Sequence, residues 1–266
     1  MCKVIAVANQ KGGCAKTTTT INVAASLVQL GKNVLCVDWD GQANLTQGLG
    51  YQYEDEFDGS IMDVVQDILD GKETTTETTT PYILTSHGID FLPATLSLMN
   101  LELNLVNAMR REHILERLIE PLKAQYDYIF IDCNPTLSLT VINALTAADE
   151  VIIPIQGEFF NLKGMESLLE TIAKVRNSIN NKLKVGAILF TKVNPNHKHT
   201  KEAMNVVHET YGSHFFIANT HIPYSSKVSE KQSEGKPIVA WNNKENKVGP
   251  AYQMMTLELL ERWEVA

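Results

Sequence analysis

The chain has 266 residues, 44% hydrophobic and 20% charged, with a formal net charge of −8. That balance excludes a uniformly basic nucleic-acid binder and confines any DNA contact to a local patch; the absence of an apolar run near 18 residues excludes a membrane-spanning helix. Cys2, Cys14, Cys36 and Cys133 form no C-x-x-C pair and have no nearby histidine at metal-ligand spacing, so they read as incidental thiols of a reducing cytosol rather than as a disulfide or metal scaffold.

The chain enters an apolar strand at once, Val4 to Ala8, without a leader, and a cytoplasmic protein is expected. A helix follows over 17–30, closed by Gly31, and a second buried strand over 33–38. Strand, helix and strand in so short a span make a βαβ unit with a parallel pair. A helix over 58–69 places Ile61, Val64, Val65 and Ile68 on one face. The threonine-rich stretch 72–81 reads as an exposed loop. Further on come a short strand over 89–92, helix in one or two pieces over 96–122, and a strand over 128–132. Helix 137–147, strand 150–154, helix 164–179, strand 184–190, helix 200–211 and a short strand over 215–217 follow. A closing helix over 251–263 has Tyr252, Met255, Leu259 and Leu260 as its core face. No Pro/Gly/Ser-rich linker divides the chain, so residues 1–266 are expected to form one α/β domain. Its sheet should be mainly parallel and twisted, with helices on both faces. The ligand should lie at the strands' carboxyl ends, where Gly12, Asp38, Asp40 and Asp132 fall.

Between the first strand and the first helix stands Gln10-Lys11-Gly12-Gly13-Cys14-Ala15-Lys16-Thr17-Thr18. Glycines without a Cβ let the backbone turn and bring successive N–H groups up to an anion, and the helix adds its positive end. Lys16 is placed to reach the β- and γ-phosphates of a nucleotide and Thr17 to ligate Mg²⁺. The strict pattern G-x-x-x-x-G-K-[ST] is not met, because Gln10 and Ala15 replace its first and last glycines. Ala15 is expected to serve there only at negative φ, where its Cβ costs nothing.

The second lysine of the loop carries a resemblance. Lys-Gly-Gly-x-x-Lys-Thr, Lys11 to Thr17, resembles the deviant Walker A box of the ParA/MinD family of P-loop ATPases. The resemblance implies ATP and Mg²⁺ as cofactors, bound by Lys11, Gly12, Gly13, Cys14, Ala15, Lys16, Thr17 and Thr18. It also implies an ATP-dependent homodimer in which Lys11 reaches across the interface to the partner's nucleotide. Thr191, Lys192 and Pro223 stand where relatives contact adenine.

Asp38-Trp39-Asp40-Gly41-Gln42 resembles the family's Asp-x-Asp-Pro-Gln box. A carboxylate there can order the water that attacks the γ-phosphate or hold a water of the magnesium shell. The resemblance makes Asp40 the hydrolytic residue and leaves Asp38 to structure or to the outer shell of the metal. Gly41 stands in place of the proline, which predicts a looser loop. Asp132 closes its strand as a Walker B aspartate does, and Asn134 replaces a proline of the following Asp-x-Pro-Pro, which predicts an added hydrogen bond in the γ-phosphate switch. Thr17, Asp40 and Asp132 are thus the expected metal residues, and Lys11, Lys16 and Asp40 the catalytic ones.

The segments 140–154 and 228–237 look like those of plasmid and chromosome ParA proteins, including Soj, so the resemblance runs from about residue 3 to about 262. ParA-like relatives coat nonspecific DNA, and a centromere-binding partner of the ParB type stimulates their hydrolysis; both are expected here, with nucleoid association. The run from Lys182 to Lys201 has no acid, and Lys198 and Lys201, with Lys227 and Lys231, are the expected DNA contacts. Lys227 aligns with a family arginine that touches phosphates. No segment precedes the first strand, so sequence-specific operator binding is not expected. A MinD-like membrane role is disfavoured by the acidic tail, and an iron–sulfur role by the cysteine spacing. A nucleotide-switched regulator of replication or another protein, and an ATP-binding protein with very slow hydrolysis, remain alternatives.

Overall fold

The computed structural model describes residues 2–157, 161–194 and 197–265. Among them, seven strands form one sheet: β1 (Lys3–Val7), β2 (Val34–Trp39), β3 (Leu84–Ser86), β4 (Ile89–Leu92), β5 (Tyr128–Cys133), β6 (Glu150–Gln156) and β7 (Lys184–Thr191). Their order is β3-β4-β2-β5-β1-β6-β7, parallel throughout except for the β3–β4 edge pair. The sheet with its covering helices matches the expected α/β class. The inner strands are apolar on both faces because both are covered. Along β1, Val4 and Ala6 enter one core while Ile5 and Val7 enter the other.

The first core lies under α3 (Ile61–Leu69), α6 (Ile114–Ile119), α7 (Leu139–Ala147) and α8 (Asn161–Ser178). The second lies under α1 (Lys16–Gln29) and the closing helix α11 (Val248–Val265), which pack on each other. Local signals account for several of these elements. Gly31, at φ +78°, ends the turn after α1. The Ser60 hydroxyl accepts from Met62 N while Asp63 accepts from Ser60 N, a capping box that starts α3. Its four predicted core residues are buried, as are the four of α11.

Three readings need correction. The threonine-rich stretch is not simply an exposed loop: Thr76–Thr79 form a short helix, α4, capped by the Thr75 hydroxyl. Thr79 is buried, and the Thr76 hydroxyl donates to Pro121 O at 3.0 Å. Threonine hydroxyls bonding their own backbone supply what composition hid. The span 96–122 is helical in two pieces, as expected, α5 (Leu101–Leu105) and α6 each flanked by 3₁₀ turns, with the break at Arg110, whose φ is +53°. Residues 215–217 make a single bridge, Ile217 to Ile188, before Asn219 and Thr220 turn their N–H groups to the Glu258 carboxylate. Lys227–Ser233, within a stretch given no element from sequence, forms a helix, α10. The remaining two helices are α2 (Asn44–Gly48) and α9 (Lys198–Tyr211).

Candidate active site

Parallel register brings the acidic strand ends together. Val7 of β1 pairs with Asp132 of β5, and Asp38 of β2 pairs with Asp132 from the other side. The loop after β1 emerges directly above them. Gly12, Gly13, Ala15, Lys16 and Thr17 then line a cleft of about 490 Å³, with Asp40 and Lys192 on its other walls.

The loop makes its turn with two left-handed residues, Gly13 at φ +73° and Ala15 at φ +71°. The expectation of a negative φ at Ala15 is therefore wrong. The alanine takes the conformation of the glycine it replaces, at a cost of roughly 1–2 kcal/mol. Surrounding contacts hold the loop in place. The Thr191 hydroxyl donates to Cys14 O at 2.9 Å and lies 3.1 Å from Ile155 O. Ala15 is the N-cap of α1 and supplies no side-chain acceptor, nor is there an acid in the helix's first turn. The first N–H groups of α1 thus face the cleft without a side-chain cap, which is the arrangement an anion completes.

Lys16 is buried and folds back over the loop, its Nζ 3.4 Å from Lys11 O. The Thr17 hydroxyl donates to Asp132 Oδ2 at 2.6 Å, and Thr20 donates to Oδ1 at 3.3 Å. A hydroxyl and a carboxylate meeting at a phosphate loop form a hard-oxygen donor set that fits Mg²⁺. Burial pushes Asp132 up to about 7, with the Thr17 bond and Lys16 pulling the other way. Burial, and next the Asp132 charge, raises Asp38 to about 8. Asp38 serves structure: Oδ2 accepts from Thr46 N at 2.9 Å and Thr46 Oγ1 at 2.7 Å, pinning α2.

Asp40 stands at the cleft wall, half-buried, its Oδ1 accepting from Gln42 N at 3.0 Å. The loop around it is not loosened by Gly41. A Cβ there would lie 2.5 Å from Met99 Cγ and 2.8 Å from Met99 N, so the glycine is what the close approach of Met99 demands. Asn134 makes the expected bond, Nδ2 to Thr140 Oγ1 at 2.9 Å, while its Oδ1 is buried without a partner among the described residues. Trp39 Nε1 donates to Thr140 O at 2.8 Å, tying the end of β2 to the same segment.

A smaller cavity of about 100 Å³ opens beside the cleft, lined by Lys192, Pro223 and Tyr252 among others, with Ala15 and Thr18 shared between the two. Thr191 also lines it, but its hydroxyl is engaged with Cys14 O of the loop and Ile155 O of β6. The expected DNA lysines stand on two helices, and three of them pair with neighbouring acids. Lys198 lies 3.6 Å from Glu202, Lys227 3.0 Å from Glu230 and Lys231 2.6 Å from Glu234. Lys231 is also tucked under the Trp241 ring, 5.7 Å from its centre, and only 16% of its side chain is exposed. It is poorly placed for the DNA role given to it from sequence. Lys201 is exposed on α9.

Sequence reasoning missed two glutamines. Gln232 on α10 donates to the Thr18 hydroxyl at 2.9 Å and borders both cavities. Gln156 ends β6, donates from Nε2 to Gly13 O at 2.9 Å, and accepts from Lys11 Nζ at 3.1 Å. Gln156 closes an apolar strand with a polar residue, the same signal that marked Asp132.

An AAA domain family model matches residues 2–185. The sporulation initiation inhibitor protein Soj of Bacillus subtilis is 39% identical over 245 residues, covering 91% of this chain and 92% of that protein. The chromosome partitioning protein ParA of Myxococcus xanthus is 37% identical over 263 residues, 98% of this chain and 88% of its own. Among solved structures, cobyrinic acid a,c-diamide synthase of Mycobacterium smegmatis with bound ATP analogue and magnesium superposes with a TM-score of 0.82. It is 30% identical, covering 99% of this chain and 96% of that one.

Proposed function

The chain belongs to the ParA/Soj family of Mg²⁺-dependent ATPases, and on that premise we propose that it is a DNA partition ATPase whose nucleotide state sets its grip on DNA. In this reading, two copies pair when ATP is bound, with Lys11 acting across the interface. The pair binds duplex DNA without sequence preference through Lys198, Lys201 and Lys227, and so associates with the nucleoid. A ParB-type centromere-binding protein then stimulates hydrolysis and returns the pair to monomers.

The observation that carries the reading is the convergence of Lys16, the Thr17–Asp132 pair and Asp40 on one cleft at the strands' carboxyl ends. Lys16 and the uncapped N–H groups of α1 bind and orient the phosphates. Thr17 and Asp132 would hold magnesium, which when bound neutralises charge developing on the phosphoryl oxygens. Asp40 accepts a hydrogen bond from water at the open side of the cleft and aligns it for attack. Lys192 and Pro223 border the base. The Lys198–Glu202 and Lys227–Glu230 pairs are exposed enough to open at little cost, and a dimer doubles the cationic patch.

The membrane-positioning alternative is less well supported, because Tyr252, Met255, Leu259 and Leu260 commit one face of the last helix to the core. No helix among the described residues is long and apolar enough to cross a membrane. A gel shift on random duplex DNA with ATP, ADP or no nucleotide, at two salt concentrations, tests the proposal. Retardation with ATP alone, weakening steeply with salt, is expected; nucleotide-independent or absent retardation would refute DNA carriage.

A further inference from the structure

We infer that Gln232 reads the sugar of the nucleotide: its side-chain amide takes a ribose hydroxyl, so the site prefers a ribonucleotide to its deoxy counterpart. The inference rests on the reading that the base lies in the smaller cavity beside Lys192 and Pro223, and it adds what stands between base and phosphates.

A nucleotide is laid out in a fixed order of phosphates, sugar and base. With the phosphates at Lys16 and Thr17 in the larger cleft and the base in the smaller cavity, the sugar has to cross where the two meet. Ala15, Thr18, Lys192 and Gln232 line both cavities and mark that junction. The alanine side chain has no polar atom, and the lysine ammonium only donates.

Gln232 is the group there that can accept. It sits on α10, half-buried, and its Nε2 donates to Thr18 Oγ1 at 2.9 Å, which fixes the amide against the first turn of α1. Its Oε1 has no hydrogen-bond partner among the described residues. Thr18 is buried and, because it accepts from Gln232, keeps its own proton for a phosphate oxygen. A phosphate oxygen cannot serve Oε1, since both only accept. A sugar hydroxyl supplies the proton, and because it also accepts, it suits either end of the amide.

Calorimetric titration of the full chain with ATP, 2′-deoxy-ATP and 3′-deoxy-ATP, in the presence of magnesium, reads the preference. The wild type should bind ATP about fivefold more tightly than one of the two deoxy analogues, the worth of one neutral hydrogen bond. Gln232→Leu is close in size and has no polar end. It should weaken ATP until it binds within about twofold of that analogue. Gln232→Ala, which suits a helix at least as well, repeats the test should leucine disturb folding. A residue that merely held α10 against α1 would weaken all three nucleotides alike and leave their ratio intact. That result, or a wild type that does not distinguish the analogues, would overturn the sugar role. Photolabelling with 8-azido-ATP keeps the two levels apart. Label within 222–229 or on Tyr252 upholds the base reading, and label elsewhere removes that reading and the sugar role with it. If the label falls there while the ratio survives in the variants, only the sugar role falls.

Discussion

The phosphate-loop end of the sheet and the lysine-bearing helices α9 and α10 are built on opposite principles. At the loop, key side chains are fixed by strand ends or buried bonds: Thr17 to Asp132, Thr191 to Cys14 O, Asp38 to Thr46. On the helices, Lys198 and Lys227 are exposed and held by acids one turn away on the same helix. Buried and satisfied groups give a geometry that a ligand meets ready-made. Exposed pairs give a charge that is available only when something better than the neighbouring acid arrives. A nucleotide site of the first kind suits a timing device, and a surface of the second kind suits reversible, salt-sensitive contact.

The contrast can be broken first at Lys16. Lys16→Ala removes the buried cation of the cleft, and ATP affinity measured by calorimetry should fall by on the order of 1,000-fold; affinity near that of the wild type would empty the cleft of its assigned role. Asp40→Ala should leave ATP affinity within a few-fold while lowering phosphate release by on the order of 100-fold. The ATP-bound dimer should accumulate, and unchanged turnover would remove Asp40 from hydrolysis.

Smaller effects sharpen the comparison. Ala15→Gly relieves a left-handed backbone at φ +71° and should raise stability by about 1 kcal/mol in denaturant unfolding. A loss of stability would mean that the strain is not stored there. On the surface, Lys227→Ala should reduce the salt slope of DNA binding by about 0.9, equally across sequences. Glu230→Gln, which frees Lys227, should tighten DNA binding by about threefold. If neither substitution moves the isotherm, the DNA surface lies elsewhere.

What the sequence disclosed follows the same division. The strand–loop–helix at the start of the chain was legible because its cues are local: an apolar run, two glycines, a lysine and a threonine. Asp40 and Asp132 were legible as acids at strand ends. The errors came from contacts distant in sequence. Gly41 read as a flexible substitute for proline, whereas Met99, contributed by the segment after β4, leaves no room for a Cβ. Ala15 was judged by intrinsic sterics, and the bonds that hold its loop come from Thr191 and Gln156. The β3 edge strand is three residues long and carries no alternation to read. Lys231 counted as surface charge, yet Trp241 and Glu234 cover it. Periodicity finds elements, and only the folded neighbours decide which side chains remain available.

The central claim is that the Thr17–Asp132 pair is where magnesium joins the phosphates. ATP should be titrated calorimetrically into folded wild-type protein, Thr17→Val and Asp132→Asn, each with and without magnesium. The account predicts that magnesium strengthens wild-type binding by on the order of tenfold and that both variants bind ATP but lose that increment. Absence of heat from the wild type, or a magnesium increment that survives in both variants, would contradict it.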